Sequence, residues 1–205
     1  MNKLRKLFFG LDITWKMIVI GSVVVAFFTA LFLIIPVTIH SSLGNIGTYL
    51  EFWLFTALLI ILNSKKPIEA GLKTFVYFLI SQPLIYLFQV PFSFLGWDLF
   101  KFYPEWFVIT LFTLPGGILA YYIKKDNIFS ALMVAVAVLF FAISSVEFGY
   151  LCIKSFPHNL ITTLFCLTNA IVLIPTLLKN KKSRIVALIA FSLPFLVYIY
   201  LAWIF

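Results

Sequence analysis

Two carboxamides, Gln82 and Asn169, and the Ser192 hydroxyl fall near the middle of long apolar runs. Each is an uncharged hydrogen-bonding group, suited to hold a small polar solute or to tie one helix to its neighbour. Pro83, the triplet Pro115-Gly116-Gly117, and Pro194 interrupt the same runs. A proline removes one amide donor and strands the carbonyl four residues earlier. In lipid that carbonyl must be satisfied by protein or by water in a cavity. Helices broken near the bilayer midplane recur in the solute sites of membrane carriers, while Pro and Gly also serve helix packing. Gln82, Pro83, Pro115, Gly116, Gly117, Asn169, Ser192 and Pro194 are therefore the candidates for a midplane cavity, with interhelical packing as the competing reading.

Ionisable groups form a second set. Glu51, Asp98, Glu105 and Glu147, with His40 and His158, all lie at one end of the apolar runs, where they would make an acidic rim able to steer cations. No H-E-x-x-H, E-x-x-H or H-x-x-x-H spacing occurs, so a divalent ion would require groups from separate loops to converge. Charged residues that end a helix are the competing reading. Glu51 stands out because it lies about one turn inside an apolar run, where an acid marks a functional site by default. Asp12, Glu69 and Asp126 sit beside basic residues and read as solvated loop charges. Cys152 and His158 share one loop, but no G-x-S-x-G, Walker or dinucleotide pattern accompanies them. The sequence assigns no catalytic residue, no metal site and no cofactor. Cys166 lies in an apolar run and reads as a small hydrophobe.

The elements that must position these groups follow from composition. Of 205 residues, 63% are hydrophobic, 19% aromatic and 11% charged, and the mean hydropathy is +1.13. Soluble domains carry about 25% charged residues, and no water-soluble fold of this length could bury so much apolar side chain. A soluble enzyme, a disordered chain, a disulfide scaffold and a nucleic-acid-binding domain are excluded. The chain reads as an all-α, polytopic integral membrane protein.

About 20 apolar residues cross the hydrocarbon core. Seven segments qualify: 16–39, 48–63, 72–90, 105–123, 128–150, 160–178 and 185–205, preceded by a cytoplasmic N-terminal segment, 1–15, that is either an interfacial helix or a disordered tail. The first apolar run, Met17 to Ile39, spans 23 residues with no small-residue cleavage site and reads as a retained helix rather than a signal peptide. With the N-terminus cytoplasmic and the C-terminus outside, 13 of the 15 Lys and Arg fall on the cytoplasmic side, leaving only Lys101 and Lys154. That sorting is the positive-inside pattern, and Trp15, Trp53, Trp97, Trp106 and Trp203 lie at or near segment ends, as interfacial indoles do. Phe78–Tyr86 and Ile189–Val197 share an S-x-P-apolar-apolar pattern, a match short enough to arise by chance.

Three functions are open at this level. The favoured one is a small transporter, or the substrate-binding membrane component of one, taking a small solute or cation. The second is a non-transporting accessory, immunity or assembly subunit that packs on a membrane protein partner. The third is an enzyme using the outer carboxylates and histidines. The expected surroundings are the lipid bilayer of a bacterial plasma membrane, with no nucleic acid. The excess of Lys over Arg fits the AT-rich genomes of low-GC Gram-positive bacteria.

Overall fold

The computed structural model describes residues 8–39, 41–125 and 127–204. It is 84% helix, with no strand among the described residues. The helices are α1 (Trp15–Ile34), the short turns α2 (Pro36–Ile39) and α3 (Asn45–Thr48), α4 (Glu51–Asn63), α5 (Pro67–Gln89), α6 (Tyr103–Ala120), α7 (Ile128–Lys154), α8 (Leu160–Leu177) and α9 (Lys181–Ile204). A 3₁₀ turn, Gly96–Phe102, leads into α6, and a second, Tyr121–Lys125, follows it. Six of these helical stretches are long and apolar enough to cross a membrane.

The boundaries have local causes. Thr14 caps α1 by accepting from the Met17 amide at 3.3 Å. The first apolar run extends to Ile39 in the sequence, but α1 stops at Ile34. The ring of Pro36 disfavours helical backbone at the residue before it, and Ile35 is extended (φ −76°, ψ 118°). Pro67 occupies the first turn of α5, where its missing amide costs nothing, and Lys66 before it is extended. Asn127 and Ser130 form a reciprocal capping box at the start of α7. The expected second segment, 48–63, forms only the 13 residues of α4. At 1.5 Å per residue that helix is about 20 Å long, against a hydrocarbon core of roughly 30 Å.

The helices pack as two compact units, one formed by Phe8–Tyr121 and the other by the chain from Tyr122 onward. In the first, α5 is the hub, packed against α1, α4 and α6. Trp53 of α4 is buried against the Tyr77 and Phe78 rings of α5, at centroid distances of 6.5 and 5.8 Å. In the second unit, α7 packs against both α8 and α9. Its buried face, Ala131, Val134, Val138, Phe141, Ala142 and Phe148, follows the i, i+3, i+4, i+7 spacing of one helical stripe. Ile185, Leu188, Ile189, Leu193 and Leu196 of α9 are exposed, an apolar surface suited to lipid.

Glycine sets the closest approach in the first unit. A Cβ on Gly71 would lie 2.6 Å from the Leu114 carbonyl oxygen, and one on Gly117 would lie 2.9 Å from the Gly71 Cα. The α5 and α6 backbones therefore touch where neither helix has a side chain. At Gly116 an added Cβ meets nothing within 4 Å. Gly71→Val is expected to destabilise the protein by about 1–3 kcal/mol through overpacking, whereas Gly116→Ala should be neutral or slightly stabilising. Thermal unfolding in detergent checks both.

Candidate functional site

The first unit has a lysine-rich end and a lysine-poor end. At the lysine-rich end the Lys73 side chain is buried. Its Nζ lies 2.6 Å from Glu69 and 5.8 Å from the Trp15 ring centroid, and it donates to the Ile13 carbonyl. The Leu11 amide donates to Asn63 Oδ1 at 2.8 Å, and the Tyr121 hydroxyl donates to the Lys65 carbonyl at 2.6 Å. Glu69 is thus not a loop charge. It lies in the first turn of α5, one turn before Lys73, because Pro67 starts that helix five residues earlier than expected. Phe8 is buried edge-on against Phe55 at 6.1 Å. These contacts anchor the segment before α1 on α4 and α5.

At the lysine-poor end a cavity of about 250 Å³ opens between the C-terminal ends of α1 and α5 and the start of α6. Gln82, Tyr86 and Gln89 line it from α5, Phe102 and Trp106 from the entrance to α6, and Gly47 and Thr48 from α3. From Gln89 to Gln82 the lining descends about 10 Å along α5. Tyr86 is held in place by the Phe100 and Tyr103 rings, at 5.8 and 6.0 Å. Gly47 brings the α3 turn close to α1, since a Cβ there would lie 2.6 Å from Leu33 Cδ1 and 3.0 Å from Thr29 Cγ2. Leu33 is itself part of the wall.

The polar groups around this cavity differ in how they are satisfied. Gln89 Nε2 donates to the Ile85 carbonyl at 3.0 Å, and the Thr48 hydroxyl to the Gly44 carbonyl at 3.4 Å. The Gln82 side chain is 3% exposed, and its Nε2 has no hydrogen-bond partner. Thr29 Oγ1, Ser81 Oγ and Trp53 Nε1 are likewise buried without partners. Among the described residues, every such atom lies in the Phe8–Tyr121 unit. The second unit treats its polar groups differently. Asn169 Nδ2 donates to the Phe165 carbonyl at 2.8 Å, and the Ser192 hydroxyl to Ile189 at 3.1 Å. Ser144 and Ser145 donate to Phe140 and Ala142. Each bonds back into its own helix.

The sequence-derived candidates therefore separate. Gln82 lines the cavity, and Pro83 follows it inside α5. Pro115, Gly116 and Gly117 lie in the last turns of α6, with Gly117 at the Gly71 crossing and Pro115 and Gly116 exposed. Asn169, Ser192 and Pro194 belong to the second unit. Of the acidic rim, Glu51 is buried at the start of α4, Asp98 pairs with Lys101 at 2.9 Å, and Glu105, Glu147 and His158 are exposed. His40 and Asp126 lie outside the described residues. Among the described residues, no three His, Cys, Asp or Glu side chains come together. Cys152 and Cys166 are both buried and unbonded to each other. Tyr86, Gln89, Phe102 and Trp106 were not among the candidates. Only their positions one and two turns beyond Gln82, and across the following loop, distinguish them from the other aromatic and amide residues.

The chain is a multi-pass helical membrane protein by its six apolar helical stretches. No family model, no curated protein and no solved structure matches it.

A buried amide without a partner costs about 1–3 kcal/mol. Gln82→Leu removes that cost with little change in volume, so it should raise thermal stability in detergent, by up to about 2 kcal/mol. Loss of stability on this substitution would show that the carboxamide is satisfied in the folded protein.

Proposed function

We propose that this protein is a small-solute transporter, or the solute-binding membrane component of one, with its binding site in the Phe8–Tyr121 unit. One observation carries the reading: a 250 Å³ cavity with the unpartnered Gln82 carboxamide in its wall. Ligand sites are concave and largely apolar, with a few placed polar groups. The packing here has that form, and it leaves polar side chains unsatisfied where a purely structural core would pair them or use apolar ones.

In the proposed topology the N-terminus is cytoplasmic and the C-terminus outside, so the cavity opens outward. Seven segments cross the plasma membrane, and α4 makes the second crossing. Two placements support that role for the short helix: Thr48, just before α4, lines the cavity, whereas Asn63, its last residue, binds Leu11 at the lysine-rich end. The sorted basic residues support the orientation.

Proteoliposomes carrying the purified protein should take up at least one member of a panel of small cationic, zwitterionic and neutral solutes above empty-vesicle levels. Gln82→Leu should reduce that uptake or the corresponding binding by about tenfold or more, the scale of one buried hydrogen bond to a ligand. Absence of both flux and binding across the panel would overturn the proposal.

A further inference from the structure

Resting on the solute-site reading above, we infer that the cavity takes a small organic ammonium ion, held by the faces of Tyr86, Phe102 and Trp106 and bonded through one oxygen to Gln82. All four side chains line the same space. At about 250 Å³ the cavity falls below the roughly 300–1,000 Å³ of drug-sized sites, yet it far exceeds the ~30 Å³ share of one water. Its occupant is therefore a molecule of few heavy atoms.

The charge of that occupant follows from the wall and its surroundings. No Asp, Glu, Lys or Arg lines the cavity. An anion would need a donor-rich or cationic partner there, and a strongly hydrated metal ion would need several oxygen ligands. Aromatic faces supply neither, but they attract an alkylated ammonium, whose charge is spread over methyl groups and whose hydration is weak. The nearby charges act in the same direction. Glu105 immediately precedes Trp106. The nearest cation in sequence, Lys101, is paired with Asp98. Gln82 then supplies the one unused carboxamide in the wall, since Gln89 is bonded to Ile85.

The trimethylammonium group has two sources, a free solute and a phosphatidylcholine headgroup, and the test separates them. Binding of choline, tetramethylammonium and 3,3-dimethyl-1-butanol, the uncharged isostere of choline, is measured by calorimetry. The protein is held in phosphatidylglycerol nanodiscs. Choline should bind at least about tenfold more tightly than its isostere, with tetramethylammonium between them for want of the hydroxyl. Phe102→Leu, at an exposed ring, should remove most of the preference for charge. Trp106→Leu should do the same, and Trp106→Tyr should restore part of it. Gln82→Leu should bring choline down to the affinity of tetramethylammonium. If added phosphatidylcholine competes with free choline, the source is the lipid headgroup; if it does not, the source is a soluble solute. Equal binding of choline and its isostere would overturn the ammonium assignment while leaving the solute site standing. No binding of any of the three, with uptake of other solutes intact, would overturn it equally. No binding and no uptake of anything would remove both readings.

Discussion

The contact between Gly71 and Gly117 sets the geometry of the first unit. At that point α5 and α6 meet backbone to backbone, closer than any side chain would permit. Toward the other end of the same pair the interface is built from Tyr86, Phe100 and Tyr103, whose ring centroids are about 6 Å apart. Small residues thus occupy the interface at one end and large rings at the other. The cavity lies at the ring end, where α3 closes one side through Gly47. The same constraint explains why the Pro115-Gly116-Gly117 triplet, which has the composition of a solute site, serves the closed end.

The lysine-rich end is fixed with equal definition. Lys73, Asn63 and Tyr121 each bond to main-chain atoms of another segment, so that the chain before α1, the turn into α5 and the end of α6 are joined. Polar satisfaction is therefore nearly complete at one end of the unit and incomplete around the other. In the second unit, Ser144, Ser145, Asn169 and Ser192 bond within their own helices. Such bonds need no partner helix and no ligand. Among the described residues, the unpartnered buried polar atoms are thus confined to one unit.

Much of this was legible from residue types. The apolar runs gave the helices, the sorted lysines separated the two ends, and Gln82 was identifiable as an amide within an apolar run. The stop at Ile34 was also legible in principle, since Pro36 dictates it. The short α4 was not, because hydropathy measures composition and not where a cap falls. Nor was the role of Gly117, because its partner Gly71 is 46 positions away and no local pattern pairs them. The aromatic wall was hidden by abundance: among 25 Phe, 9 Tyr and 5 Trp, only packing distinguishes Tyr86, Phe102 and Trp106. Glu69 read as a loop charge because the start of α5 was placed after it, at residue 72 rather than at Pro67.

The position of the carboxylates beside the cavity, rather than in its wall, has a physical rationale. A carboxylate buried in the wall would require a permanent partner, since an uncompensated charge in a low-dielectric site is far costlier than an unpaired amide. Such a partner would neutralise the attraction it was meant to provide. Aromatic faces avoid this conflict. They are apolar when the site is empty, so they need no counter-charge, and their quadrupole becomes attractive only when a cation arrives. Glu105, exposed at the start of α6, is not part of the wall and keeps its hydration. The unpartnered Gln82 amide is then the principal polar cost the empty wall carries, and it is of the size that one hydrogen bond to an occupant would offset.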